Sequence, residues 1–219
     1  MAKNDFSHEE LSNAEDKCLC VLLLDTSGSM MGAPIAELNK GLQRFQEQVL
    51  ENDTTTSRLE VAIITFGGSV RQIQDPSQLT DFEIPKLSAS GGTPMITAIE
   101  EALQLIADRK EWYKQKGIKY YRPWLVLMTD GEPDEMEAVA SMGQRLKSLQ
   151  EGSSVIVAPI GVGENVNMSV LRELSQGGPM NATKLQETNF VQFFNWLSNS
   201  IEKVTSKSPS DDSGWSFQF

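Results

Sequence analysis

The chain is poor in the residues that most often carry chemistry. Its 219 residues include one histidine, His8, and two cysteines, Cys18 and Cys20. A nitrogen- or sulfur-ligated metal needs several such side chains at ligand spacing, so a zinc-type site is excluded. Cys18 and Cys20 flank one residue of an extended run, which puts both on one face at a spacing too tight for an easy disulfide. They read as small core residues. His8 lies in a polar leader with no partner to make it catalytic. Long apolar runs are missing as well. The longest, Cys18 to Leu24, has seven residues, where a membrane-spanning helix needs about 20. The opening "MAKNDFSHEELSNAEDK" lacks the basic start and apolar stretch of a secretory signal. With no signal and two cysteines, a cytosolic protein is expected. Nor is there cationic excess. The net charge of −11 repels DNA and anionic lipid alike, so neither nucleic acid nor membrane is expected as a partner.

What is present is an alternation of strand-length apolar runs and helix-period segments. "CLCVLLLD" (18–25), "RLEVAIITFGG" (58–68), "RPWLVLMTDG" (122–131) and "SSVIVAPIGVG" (153–163) read as strands, the first nearly continuous in apolar residues, as for a strand buried on both faces. "SVRQIQ" (69–74) follows a glycine pair as a short antiparallel partner, and "MNATKLQ" (180–186) is a weak edge strand. Helices are predicted over 34–52, 91–117, 134–152, 167–178 and 189–204; in the first, Ile35, Leu38, Leu42, Phe45 and Val49 recur at spacings of three and four. Asp134 and Glu137 are spaced as a capping box for the third. This rhythm implies an α/β fold, a doubly wound and mostly parallel open sheet with one short antiparallel edge strand. A polar leader (1–17) precedes the domain (18–204), and a flexible tail (205–219) follows it.

In such a sheet, function gathers beyond the carboxyl ends of the strands, where strand order reverses. Three oxygen-rich segments reach that edge: "DTSGS" (25–29), "SGGTP" (90–94) and "MTDGEPDE" (128–135). Each has a plain alternative. Asp25 with Ser27 can be an Asx turn, Thr93 before Pro94 a helix N-cap, and Asp134 the cap of the following helix. Together they bring oxygen ligands without nitrogen or sulfur to one place, a set suited to a hard cation such as Mg²⁺.

In this order and spacing the three segments resemble the metal-ion-dependent adhesion site of von Willebrand factor A domains, over about residues 18–204. Within that family, "LLLDTSGSMMGAPIAELNKGL", "SASGGTP" and "RPWLVLMTDGEP" are most similar to bacterial TerY/YegL-type proteins of tellurium-resistance and stress loci. The resemblance implies a Rossmann-like fold in which Ser27 and Ser29 give hydroxyl oxygens directly to Mg²⁺ or Mn²⁺. Thr93 would join directly or through water, and Asp25 and Asp130 would hold the shell mostly through water. Neutral hydroxyl ligands leave the ion's charge poorly neutralised, so it favours an external anionic oxygen such as a partner's Asp or Glu. The family setting further implies a kinase or phosphatase of a TerY-type system as partner. Glu132 and Asp134 lie beyond the pattern and carry no assignment.

The rival class is a metal-dependent phosphohydrolase, which needs a nucleophile or activated water and an acid–base group. An aspartyl nucleophile of the haloacid-dehalogenase type sits in a DxD context, whereas Ser27 stands two after Asp25. There is no G-x-S-x-G elbow and no P-loop lysine, and "GVGEN" (161–165) has two of the three glycines of a dinucleotide fingerprint after the wrong strand. A non-enzymatic adaptor is expected. The segment "RKEWYKQKGIKYYRPW" (109–124) interleaves cations with aromatics, a pattern able to hold single strands. It is read instead as a solvated helix end at the opposite edge, with a second protein-docking surface as the alternative. The tail aromatics Trp215, Phe217 and Phe219 alternate, as in a segment able to add along a sheet edge.

Overall fold

Strand β1 (Cys18–Asp25) is buried at every position, as its unbroken apolar run requires. It lies at the centre of a sheet completed by β2 (Leu59–Gly67), β3 (Ser69–Ser77), β4 (Trp124–Thr129), β5 (Ile156–Val162) and β6 (Thr183–Leu185). The order is β3-β2-β1-β4-β5-β6, with β3 antiparallel to β2 and every other pair parallel. The computed structural model describes residues 4–10, 13–163, 166–185 and 190–209. Glu164 and Asn165 of the "GVGEN" segment, Gln186 and Asn189 at the expected ends of the last strand and helix, and tail residues 210–219 lie outside these.

Among the described residues six helices cover the sheet: α1 (Ala33–Leu50), α2 (Asp53–Arg58), α3 (Met95–Gln115), α4 (Val139–Glu151), α5 (Met168–Leu174) and α6 (Phe190–Thr205). The period-two alternation of β1 sorts the core into two layers. Cys18, Cys20, Leu22 and Leu24 pack with Leu38, Leu42 and Phe45 of α1 and Phe194, Leu197 and Ile201 of α6. Leu19, Val21 and Leu23 face Ile99 and Ile106 of α3, Leu146 of α4 and Leu171 of α5. Each such side chain contributes roughly 1.5–3 kcal/mol of apolar transfer. Both cysteines are free and buried in the first layer, and burial pushes the Cys18 thiol up to about 12. Among the described residues no helix is long and apolar enough to cross a membrane.

Several local expectations are corrected. The capping box at Asp134 and Glu137 does not form; a 3₁₀ turn at Met136–Ala138 intervenes and α4 begins at Val139 without a side-chain cap. Thr93 does not cap α3 either, since Pro94 holds the N-cap position and makes no side-chain cap bond. Helix α2 was not anticipated, because "DTTTSR" has no apolar period; Asn52 nucleates it by accepting from Thr55 N at 2.9 Å.

The basic–aromatic segment is the largest departure. Trp112, Tyr113, Tyr121 and Trp124 are all buried, and so is Arg109. The Arg109 Nε donates to Glu60 Oε2 at 2.9 Å, Tyr113 Oη donates to the same oxygen at 2.6 Å, and a second Arg109 nitrogen pairs with Glu9. The guanidinium lies 4.1 Å from the Trp112 ring centroid and 4.9 Å from that of Phe6. Asn4 N donates to Asp108 Oδ2 at 2.8 Å, so Asn4 by this hydrogen bond and Glu9 by its ion pair with Arg109 fasten the described part of the leader along α3. Lys114, Lys116 and Lys119 are the part that remains exposed. Removing Arg109 would leave Glu60 buried without its ion-pair partner, held by the Tyr113 hydroxyl. Arg109→Ala is therefore expected to lower the unfolding free energy by about 3–5 kcal/mol, read from urea denaturation; a loss below about 1 kcal/mol would mean that water relieves Glu60.

Candidate functional site

The β1–β4 pairing sets Leu24 opposite Met128, so Asp25 and the residues after Thr129 emerge together at the point where strand order reverses. Asp25 has no solvent exposure. Its Oδ1 accepts from Ser27 N at 2.8 Å and its Oδ2 accepts from Thr129 Oγ1 at 2.6 Å. Burial pushes its carboxyl above the usual carboxylate range, while the Ser27 and Thr129 donors pull the other way. The Asx turn expected here is thus real. It also aims the next hydroxyls: Ser27 Oγ lies 3.0 Å from Ser29 Oγ, which donates to Asp130 Oδ1 at 2.7 Å.

Thr93 arrives from the other side. A Cβ built on Gly131 would lie 3.9 Å from both Ser29 Oγ and Thr93 Oγ1, so the two hydroxyls flank one point. The five sequence-singled residues, Asp25, Ser27, Ser29, Thr93 and Asp130, therefore gather at one edge. Ser29 is exposed and Asp130 half-buried, while Ser27 and Thr93 are 2% and 8% exposed, so the group opens to solvent on the Ser29 side.

Backbone bonds lace the loops. Gly28 N donates to Gly91 O at 2.9 Å, Ser90 N to Thr26 O at 2.7 Å and Gly68 N to Gly92 O at 2.9 Å. Gly91 adopts φ +80°, and a Cβ there would meet Gly68 Cα at 2.5 Å, so both the dihedral and the close approach require glycine. Asp134 adds to this lacing, while Glu135 and Glu132 tie the same segment to α3 and to the approach to α5. Asp134 Oδ2 accepts from Thr93 N at 2.8 Å, and Asp134 N donates back to Thr93 O at 3.0 Å. Glu135 accepts from Thr97 Oγ1 at 2.8 Å, and Glu132 from Asn167 Nδ2 at 2.7 Å. The clue to Asp134 was its failure to cap α4, which only three-dimensional pairing reveals.

All five side chains offer oxygen. Three of the five are hydroxyls and two are carboxylates, and among the described residues no group of three or more His, Cys, Asp or Glu comes together. Such donors suit a hard divalent cation.

The profile of the von Willebrand factor type A domain matches residues 20–204. Two von Willebrand factor A domain-containing proteins of Dictyostelium discoideum are each 24% identical over 180 residues, covering 78% of this chain and 19% and 17% of theirs. The chain thus spans about a fifth of the curated relatives it matches. Among solved structures, a von Willebrand factor type A protein from Catenulispora acidiphila superposes with a TM-score of 0.65 at 16% identity, covering 85% of this chain and 43% of that one. The manganese-loaded TRAP protein of Plasmodium vivax superposes with a TM-score of 0.57 at 19% identity, covering 81% of this chain and 71% of that one.

Two substitutions test the build of this edge. Thr129→Val removes a donor from a fully buried carboxylate and is expected to cost about 1–3 kcal/mol in chemical denaturation. Gly91→Ala forces the 67–68 and 90–92 loops apart and is expected to cost about 1–3 kcal/mol while leaving the far-UV circular dichroism intact; a neutral result would mean that the loops are not laced.

Proposed function

The chain belongs to the von Willebrand factor type A domain family, and from that premise we propose that it is a cation-dependent adaptor that captures an acidic side chain of a protein partner. The fold often mediates metal-dependent protein interactions, and proteins of this family are generally non-enzymatic adhesion or interaction modules. The observation that carries the reading is the spacing of the hydroxyl set. Neighbouring ligands of an octahedral Mg²⁺, each about 2.1 Å from the ion, stand about 3.0 Å apart. The Ser27 and Ser29 hydroxyl oxygens are 3.0 Å apart, and Ser29 Oγ donates to Asp130 Oδ1 at 2.7 Å, as a ligating hydroxyl would to a carboxylate one layer out.

In this proposal Ser27 and Ser29 ligate Mg²⁺ or Mn²⁺ directly, Thr93 joins directly or through water, and Asp25 and Asp130 hold the shell mostly through water. The TRAP neighbour is manganese-loaded, which supports a divalent ion in a chain of this fold. When bound, the ion supplies an electrophilic position for a carboxylate oxygen of the partner. This chain's own residues do the rest. Ser29 presents the open side, Asp25 holds the turn, and the Asp134–Thr93 pair fixes the third loop. A hydrolytic use of the same ion lacks support, because Asp25 and Asp130 are engaged with Ser27, Thr129 and Ser29. The finer setting is a cytoplasmic TerY-type stress or defence system with a kinase or phosphatase as partner. It rests on the resemblance of the "LLLDTSGSMMG", "SASGGTP" and "RPWLVLMTDGEP" segments alone.

Titration calorimetry with Mn²⁺ and pull-downs with and without EDTA, read by mass spectrometry, test the reading. Ser29→Ala, Thr93→Ala and Asp25→Ala are each expected to weaken Mn²⁺ binding at least about ten-fold and to abolish cation-dependent capture, with circular dichroism preserved in the exposed-site variant Ser29→Ala. A partner complex that survives EDTA would refute the mechanism while leaving the fold untouched.

A further inference from the structure

The second halves of α3 and α4 and the start of β5 enclose an open cavity of about 300 Å³, lined by Leu103, Ile106 and Val155 together with Lys110, Lys114 and Arg145. Leu103, Ile106 and Val155 are buried core side chains, while Leu149 is half-buried and Ala107 exposed, so the cavity opens from a gap in the α3–α4 layer. Its charges are all of one sign. No acid lines it, and none of the three cations joins an ion pair among the described residues. In a chain with 30 acidic and 19 basic residues this is an inversion of the average surface. Lys110 is the best held of the three. Its Nζ donates to Ser154 O at 3.2 Å and lies 5.9 Å from the Tyr120 ring centroid. Burial, followed by Lys114 and Arg122, lowers its pKa. Lys110 and Lys114 stand one turn apart on α3, and Arg145 faces them from α4.

We propose that this cavity is a second docking site, independent of the cation edge, for an acidic peptide segment that inserts one bulky apolar side chain between α3 and α4. The cavity is at the small end of ligand pockets, which run about 300–1,000 Å³, and so admits an anchoring side chain and not a whole cofactor-sized molecule. Flanking carboxylates of the segment meet Lys110 and Lys114 on one wall and Arg145 on the other, which supplies both steering and orientation. A nucleic acid fits less well, because the aromatics that would stack bases, Trp112, Tyr113, Tyr121 and Trp124, are buried. A flat anionic membrane fits less well, because a concave opening does not receive a plane.

Fluorescence anisotropy with a fluorescein-labelled peptide, EDEELWEEDE, tests the site on the intact chain. Saturable binding is expected with a dissociation constant below about 100 µM at low salt, weakening as salt rises. Lys114→Glu with Arg145→Glu, both at exposed positions, is expected to weaken it at least about ten-fold with thermal melting unchanged. A peptide with Ala-Ala in place of Leu-Trp is expected to lose about ten-fold or more. EDTA and Thr93→Ala are expected to change nothing, which separates this site from the cation edge. The proposal is overturned by any of four results: no saturation by about 1 mM, equal binding by the double variant, equal binding by the Ala-Ala peptide, or retention on phosphatidylglycerol vesicles without peptide binding.

Discussion

A carboxylate that never meets solvent, Asp25, is the constraint on which the loop edge depends. Taking such a group out of water is costly unless its oxygens find donors. Here each oxygen has one, from Ser27 N within the turn and from the Thr129 hydroxyl on the neighbouring strand. The first bond curls the chain so that Ser27 and Ser29 follow each other at hydrogen-bonding distance. The second locks that curl to β4, whose continuation delivers Asp130 to Ser29. Parallel pairing of β1 with β4 is what makes the second bond available, so sheet register, turn shape and hydroxyl placement form one causal sequence.

The two ends of the molecule are electrically unlike. At the carboxyl edge, neutral hydroxyls are backed by acids, a surrounding that welcomes a small hard cation. Along the distal half of α3, cations prevail, but in two different roles. Arg109 is enclosed by Glu60, Glu9 and three aromatic rings and serves the fold. Lys110 and Lys114, its near neighbours, face the α3–α4 gap with no acid opposite. Helical period separates them: positions 109, 112 and 113 turn inward while 110 and 114 turn to the gap.

The sheet and its order of elements were legible because each buried strand was an unbroken apolar run and each long helix kept its period. The set Asp25, Ser27, Ser29, Thr93 and Asp130 was legible from the three oxygen-rich segments at strand ends together with their resemblance to a known motif; the place of Thr93, on a loop and not a strand, was not set by strand order. What escaped the sequence was pairing at a distance. Asp134 looks like a helix cap from spacing, yet its carboxylate is taken by a backbone amide 41 residues away. The 109–124 segment looks like a solvated basic end, because nothing local announces that Glu60 and Glu9 will enclose Arg109. Local patterns report which face is apolar; they do not report which polar group on another element will arrive to meet a charge.

The reciprocal bonds between Thr93 and Asp134 join the approach to α3 with the approach to α4, and Gly92 admits the carboxylate to a point where a Cβ would lie 2.6 Å from Oδ2. The two connectors are thereby buttoned to each other. The position of Thr93 and the path of the chain toward the exposed Met136 are therefore set by one pair of bonds.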